Sequence, residues 1–565
     1  MMPAVAPKPA PKTLAPPARV KPSSHSMVWL CGGALAVNLL FVIGLVGLLA
    51  ANGLSYFWPS AIYQFELEDG TTLLGEIYQR QPKPKEVRAK GEGETFRIQI
   101  KKGNREITGR DFEWVEESNI KNRTVPPDAV VLERVEYGNF YGKIIEVKEY
   151  DKNGENGLPI ASGSDAAWTK FNEIHPKKIA ERDAVVYFEK HDLGGVNQEI
   201  ERLRLAKKKV LLTSGDTPEA KAKIAELDEL TNKSEAESKV LTEKLFERRK
   251  ALDKQTIVIE TIDQKKREIP VHHVVRALQP NRLGFVESVG VYFSRGWEFI
   301  AHDPRESNSE GGIFPAIFGT VLMVFLMSIA VVPLGVLAAL YLREYAKQGA
   351  LVRAVRIAVN NLAGVPSIVF GVFGLGFFVY LIGGTVDHLF FPEYGSTPVY
   401  KTGGILWASL TLALLTVPVV IVAAEEGLAA VPRIVREGSL ALGATKFETT
   451  WRVVIPAAAP GILTGLILAI ARAAGEVAPL MIVGMVKLAP ALPIDGNPPF
   501  IHFEQKFMHL GFHIYDVGSQ SPNVDASKPL VFATAFLLIV IVTFMNLLAI
   551  ALRNHLRKKY AGAAI

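Results

Sequence analysis

Glu437-Gly-Ser-Leu-Ala-Leu-Gly-Ala-Thr-Lys-Phe-Glu-Thr-Thr-Trp-Arg-Val-Val-Ile-Pro456 is the stretch on which the reading of this chain turns. Locally it spells helix, turn, helix. Residues 435–442 have helical character, and Gly443 suits the left-handed position just past a helix end. Thr445 with Glu448 forms a capping box for a second short helix. Pro456 opens the helix that follows, where a missing N–H costs little. Two short helices fixed by a stiff turn can transmit a push, which a floppy loop cannot. The same residues also fit an ordinary connecting loop that carries a capping box.

Both flanks of this segment are apolar, and the pattern extends. A helix needs about 20 apolar residues to cross a bilayer core. Met27–Ala51, Phe314–Leu342, Leu362–Ile382, Ile405–Ala424, Pro460–Val486 and Leu530–Leu552 all qualify. The chain has 565 residues, 49% hydrophobic and 21% charged, a mixture that a single soluble domain accommodates poorly. Here the two classes are segregated, with charge concentrated between Tyr63 and Gln279. The first apolar run is too long for a cleaved leader and reads as a retained anchor. The net charge of +6 brings no basic stripe, so nucleic acid is not an expected partner. Cys31 is the single cysteine, so a disulfide cannot staple the charged region.

Short basic loops set orientation. Lys8, Lys12, Arg19 and Lys21 precede the first span; Arg343, Lys347, Arg353 and Arg356 follow the second. Arg433, Arg436, Lys446 and Arg452 follow the fourth, and Arg553, Arg557, Lys558 and Lys559 follow the last. Six spans put all four groups on one side, with both termini cytoplasmic and residues 56–310 outside. Residues 1–26, rich in Pro and Ala, read as a disordered cytoplasmic tail, 27–55 as the first span, 311–555 as the five-span core, and 556–565 as a second tail.

The outer region reads as α+β. Phe65-Glu-Leu-Glu-Asp-Gly-Thr-Thr-Leu-Leu alternates around an Asp-Gly turn, and strand signals recur at Phe96–Ile100, Val130–Val135, Ile257–Ile262 and Val271–Leu278. Between them, Val196, Ile200, Leu203 and Val210, then Ile224, Leu227, Leu230, Leu241, Leu245 and Leu252, recur at helical spacing. Ser214-Gly-Asp-Thr-Pro218 separates the two runs, giving an antiparallel helical hairpin over about 196–252. Its charged faces fit solvation, or docking of a partner. His272 and His273 lie in a strand signal, where neighbours point to opposite faces, which disfavours a shared metal.

The fifth span contains Ala471-Arg-Ala-Ala-Gly-Glu-Val-Ala-Pro-Leu480. A charge at a helix centre costs about 2.5–3.5 kcal/mol on insertion scales, so Arg472 and Glu476 need a reason. At i, i+4 they share a helix face and can pair. One reading is a self-neutralising pair that packs the helix. The other is a polar path for an anion, with the Arg472 fork as the oxyanion donor and Glu476 holding it in place. Gly475 and Pro479 punctuate this span, and Gly364, Pro366, Ser367 and Gly371 open the third, suggesting broken or closely packed helices around a cavity.

The 437–456 segment resembles the EAA loop of ABC-importer permeases, with Glu437, Gly443, Val453, Ile455 and Pro456 at matching positions and Gly438-Ser439 where that loop usually has two alanines. Together with Gly364-Val-Pro-Ser-Ile-Val-Phe-Gly371, Pro460-Gly-Ile-Leu-Thr-Gly465 and Ala471–Leu480, residues 313–555 resemble the phosphate-transport permeases of the PstA type. Val477 stands where that family usually has threonine. The resemblance implies a membrane all-α, six-helix, type I (MetI-like) permease fold beside the outer α+β domain. It also implies a bacterial inner-membrane location and ATPase contact through Glu437, Gly443, Ala444, Ile455 and Pro456, with Arg472 on the phosphate path. The implied partners are a sister permease (PstC type), an ATPase dimer (PstB type) and a periplasmic binding protein (PstS type). No cofactor is expected on this chain: there is no G-x-x-x-x-G-K-[ST] loop, so ATP belongs to a partner. Two alternatives remain, a permease for sulfate or molybdate, and an envelope scaffold that senses through the outer domain.

Overall fold

The computed structural model describes residues 25–83, 95–151, 157–215, 217–308, 310–395, 397–496, 500–521 and 524–561. The tail expected over residues 1–26 lies outside these, except that a helix already begins at His25. The chain divides into two compact units, Met1–Ala51 and Asn52–Ile565. The first unit contains most of α1 (His25–Ser55), an apolar helix whose side chains are exposed almost throughout.

In the second unit, strands β1 (Ile62–Leu67), β2 (Thr72–Pro82), β3 (Phe96–Lys101), β4 (Phe112–Glu116) and β5 (Ile120–Thr124) form an antiparallel sheet ordered β4-β3-β2-β1-β5. The β1–β2 hairpin turns at the Asp-Gly pair read from sequence, pairing Phe65 with Leu73. The short helix α2 (Arg105–Thr108) interrupts this sheet's connections. A second sheet orders β10-β9-β7-β6-β11, with β8 paired to β7. Its strands are β6 (Val130–Arg134), β7 (Phe140–Tyr150), β8 (Gly157–Ser162), β9 (Gln255–Glu260), β10 (Lys266–Pro270) and β11 (Val274–Leu278). Phe140, Ile144, Val147, Ile257 and Ile259 are fully buried there, against Phe171 and Ile174 of α3 (Ser164–Tyr187).

The hairpin is present and longer than the periodicity shows. α3 continues through a wide turn at Phe188–Leu193 into α4 (Gly194–Ser214), which returns as α5 (Pro218–Leu252). Pro176 sits inside α3, where sequence rules expect a break. Burial of Phe171 and Ile174 beneath the second sheet holds the helix there. α4 also reaches the membrane-type core: Lys209 pairs with Glu393 at 3.6 Å. The histidine pair is corrected. His272 and His273 lie in a 3-10 turn, not a strand, with rings 4.4 Å apart.

α6 (Phe285–Ala301) leads to the core: α7 (Phe314–Leu340), α8 (Ala350–Leu362), α9 (Ser367–Phe373), α10 (Gly384–Phe390), α11 (Ile405–Ala430), α12 (Arg433–Ala441), α13 (Lys446–Thr449), α14 (Ile455–Ala473), α15 (Ala478–Val483), α16 (Leu510–Tyr515) and α17 (Val524–Ala561). Among the described residues, six helices are long and apolar enough to cross a membrane: Met27–Ser55, Phe314–Tyr345, Ser367–Phe390, Ile405–Ala430, Lys446–Ala473 and Ser527–Lys559. α11 is the most buried and packs on α7 and α14, while α14 packs on α17.

Several span boundaries differ from expectation. The third span begins at Ser367, because Leu362 ends the separate amphipathic helix α8. The fifth ends at Ala473 rather than continuing to Val486, and it starts before the loop ends, at Lys446. The last span stays helical to Ala561, through residues expected to be a tail.

Candidate functional site

Arg472 lies in the last turn of α14, and the helix stops immediately after it. Gly475 N–H bonds back to the Arg472 carbonyl at 3.3 Å, and Glu476 N–H to that of Ala473 at 3.2 Å, both tightened i→i−3 bonds. Val477 leaves helical geometry (φ −123°, ψ −49°), and α15 restarts with Pro479 in its first turn, where proline fits. Arg472 and Glu476 are therefore not two points on one helix face. Glu476 sits in the break and approaches Arg472 Nε at 3.8 Å, too long for a hydrogen bond. Among the described residues no other carboxylate lies within 4.0 Å of this guanidinium, and its side chain is one-third exposed. The fork keeps donors available at the open end of a helix.

Two glycines clamp the break. A Cβ on Gly371 of α9 would lie 2.7 Å from Pro479 Cα. A Cβ on Gly511 of α16 would lie 2.7 Å from Val477 Cγ2. Pro479 and Leu480 are buried, and Ala473, Ala474 and Leu480 join Phe370, Met323 and Phe507 in the central core. Gly364 is exposed and meets nothing closer than the Asn361 carbonyl at 3.4 Å. It belongs to the turn between α8 and α9, and Pro366 stands in extended geometry just before α9 starts at Ser367. So Gly364, Pro366 and Ser367 mark a broken chain path, and close packing falls to Gly371. Gly475 is likewise exposed, marking the break rather than a contact.

The segment that opens the sequence reading is a rigid corner. At the end of α12, Gly443 N–H bonds the Leu440 carbonyl at 3.0 Å and Ala444 N–H bonds that of Ser439 at 3.3 Å, a Schellman closure. Gly443 is left-handed at φ +87°. Thr445 Oγ1 accepts from Glu448 N–H at 3.2 Å while the Glu448 carboxylate accepts from Thr445 N–H at 2.9 Å, the expected capping box. Ser439 and Thr449 hydroxyls join the two helices at 2.9 Å.

The second helix is not a separate short piece, as expected, but runs unbroken through a π turn at Thr450–Val454 into α14. Pro456 thus lies within a continuous helix. It lacks the donor that would reach the Arg452 carbonyl, and the wide turn falls at that place. Ile455 packs, half-buried, with Val454 and Ala458 on α11 residues Ala424 and Leu428.

Contacts that the sequence does not announce anchor this corner. Arg436 donates to the Leu428 carbonyl at 2.6 Å and pairs with Glu344 at 3.1 Å, while Lys446 donates to the Glu344 carbonyl at 2.6 Å. Glu344 is 102 residues from Lys446, and no local pattern signals such a contact. Outward, Glu437 is exposed beside Ile434 and Leu442, the latter 91% accessible, and Phe447 stacks on Trp451 at 6.3 Å. Helical spacing in 433–442 was the available signal for this apolar edge.

Residues 331–561 match the family described as binding-protein-dependent transport system inner membrane component. The phosphate transport system permease protein PstA 1 of Mycobacterium tuberculosis is 31% identical over 272 residues, 46% of this chain and 80% of that protein. The corresponding PstA of Mycobacterium leprae is 33% identical over 285 residues, 50% of this chain and 84% of that one. Among solved structures, the inward-facing methionine ABC transporter MetNI aligns at 18% identity and a TM-score of 0.32, over 43% of this chain and 94% of that chain. With a relative of this identity matched over four-fifths of its length, the chain belongs to the PstA family of phosphate transport system permease proteins.

Proposed function

We propose that this chain is the membrane permease subunit of an ATP-driven importer that carries inorganic phosphate across the bacterial inner membrane. It is a transport subunit and not itself an enzyme. The observation that carries the reading is the Arg472 guanidinium at the open end of a broken membrane helix, with Glu476 at 3.8 Å. A planar fork with unspent donors suits a tetrahedral oxyanion, and one nearby carboxylate keeps the site from holding its cargo too tightly.

The energy enters through residues 432–456. The exposed edge around Glu437, Gly443 and Ala444 docks on an ATPase of the PstB type, which binds the nucleotide. Force then travels along one uninterrupted helix. From Lys446 to Ala473 it is 28 residues, about 40 Å at the usual helical rise, and its last turn carries Arg472. Displacing that rod shifts the break, where Gly371 and Gly511 hold the far side. A sister permease of the PstC type completes the pathway, and a PstS-type protein delivers phosphate from the periplasm. Both termini are cytoplasmic, and the two-sheet domain with its hairpin stands in the periplasm.

The test is uptake of radiolabelled phosphate by the reconstituted complex, with sulfate and molybdate as competitors. Phosphate should be accumulated in preference to both. Arg472→Gln should assemble normally but transport about 10–100-fold more slowly, since a hydrogen bond to a charged group contributes about 1.5–3 kcal/mol. Unaltered uptake by the variant would remove Arg472 from the path.

A further inference from the structure

α6 is amphipathic in the wrong sense for water. Val286, Gly290, Phe293, Trp297 and Ile300 follow one another at spacings of four and three, so they share one helix face. That face is open: Val286 is 82% accessible, Phe293 69% and Trp297 67%, with Phe285 at the first turn 76%. Among the described residues, nothing lies within 4 Å of where a Cβ on Gly290 would stand.

The opposite face is charged and covered. Arg295 donates to Glu133 of β6 at 2.9 Å, and Glu298 pairs with Arg276 of β11 and with Arg305, each at 2.8 Å. The Arg295 and Glu298 side chains are only 18% and 13% exposed. Burial alone would raise the Glu133 carboxyl, but Arg295 and Arg276 overcome it and hold this group below its ordinary range. A helix bordering water buries apolar residues and exposes charge. α6 does the reverse.

The position of the helix says what takes the place of water. Its last turn is hydrogen-bonded to the start of α7, Ile313 N–H to the Phe299 carbonyl at 2.8 Å and Phe314 N–H to that of His302 at 3.2 Å. The membrane span Phe314–Tyr345 begins there. Trp58, three residues past the end of α1, packs on Phe285 and on Tyr292 at ring separations of 6.1 Å each. Aromatic side chains at span ends favour the zone between headgroups and acyl chains, and an in-plane helix rests there on its apolar face. We propose that α6 lies in the interfacial layer of the phospholipid bilayer, apolar stripe toward the acyl chains, and fixes the two-sheet domain on the membrane surface through its buried ion pairs. Residues 285–301 lie outside the family match, and the placement is independent of which anion is transported.

The test uses the intact complex in vesicles of palmitoyl-oleoyl phosphatidylethanolamine and phosphatidylglycerol. Cys31 is the single native cysteine, so Cys31→Ser provides a background for nitroxide labels introduced by Phe293→Cys, Trp297→Cys and, on the exposed face of α5, Glu243→Cys. Labels at 293 and 297 should show a several-fold higher ratio of oxygen to water-soluble nickel-chelate accessibility than the label at 243. A ratio equal to that at 243 means the stripe faces water and overturns the placement. Silence toward both reagents means protein covers it, which overturns it as well. A second measurement needs no substitution: a phospholipid bearing a photoactivatable diazirine on its acyl chain should modify residues 285–301 of the unaltered protein, and absence of adducts there would refute the proposal.

Discussion

Gly371→Ala tests whether the break beside Arg472 depends on close packing from α9. The added methyl would lie 2.7 Å from Pro479 Cα and 3.0 Å from the Pro479 carbonyl oxygen, both backbone atoms that cannot swing aside. Ordinary contact begins at 3.4 Å, so α9 and α15 must separate by about 0.7 Å (3.4 minus 2.7). Overpacking of this kind costs about 1–3 kcal/mol. Gly376, five residues along the same span, provides the matched control, because a Cβ there meets nothing within 4 Å among the described residues. In detergent, Gly371→Ala should lower the melting temperature of the complex and Gly376→Ala should leave it level or raise it, alanine being the better helix former. Phosphate uptake should fall in the first and persist in the second. If both variants melted and transported like the parent protein, the break would not be clamped by Gly371.

Three further outcomes follow from other parts of the molecule. Gly443→Val places a β-branched residue at φ +87°, at a cost of about 1–2 kcal/mol or more, and should leave ATP hydrolysis running while phosphate uptake falls; an unchanged ratio of uptake to hydrolysis would contradict the corner's role. Removing the Ser439 and Thr449 hydroxyls singly and together (Ser439→Ala, Thr449→Val) should reveal a coupling of about 1 kcal/mol in thermal stability, and additive effects would show that the 2.9 Å contact contributes nothing. Burial beside the second sheet, with His273 adding to it, pushes His272 down from 6.5 to about 4, against the opposing pull of Asp253. The unfolded chain then binds a proton that the folded chain refuses, so this contribution to stability is complete above pH 6.5 and is lost as pH falls toward 4. His272→Gln should flatten the pH dependence of melting across that window, and identical profiles would refute the assignment.

Much of the architecture was legible because local rules dominate it. Uninterrupted apolar length identified all six spans, since a membrane offers no other partner for backbone groups than the helix itself. The β1–β2 turn, the α4–α5 hairpin, the Gly443 stop and the Thr445–Glu448 box follow from residue chemistry over three to ten positions. α3 is absent from the sequence reading, and it carries an interior Pro176 that burial of Phe171 and Ile174 against a sheet accommodates. α6 escaped because its pattern is amphipathic without revealing which face meets the protein.

The sequence by itself determined that this chain crosses a membrane, that it carries an arginine and a glutamate where charge is costly, and that a stiff corner precedes them. Tertiary structure alone decided that Glu476 stands off the helix, that the corner and Arg472 are two ends of one rod, and that Gly371, Gly511, Glu344 and Arg436 hold those ends. The physical reason is range. Spacing along the chain reports which face a residue shares with its neighbours a turn away, whereas the clearance at Gly371 or the Arg436–Glu344 pair depends on segments about a hundred residues apart, brought together only when the core closes.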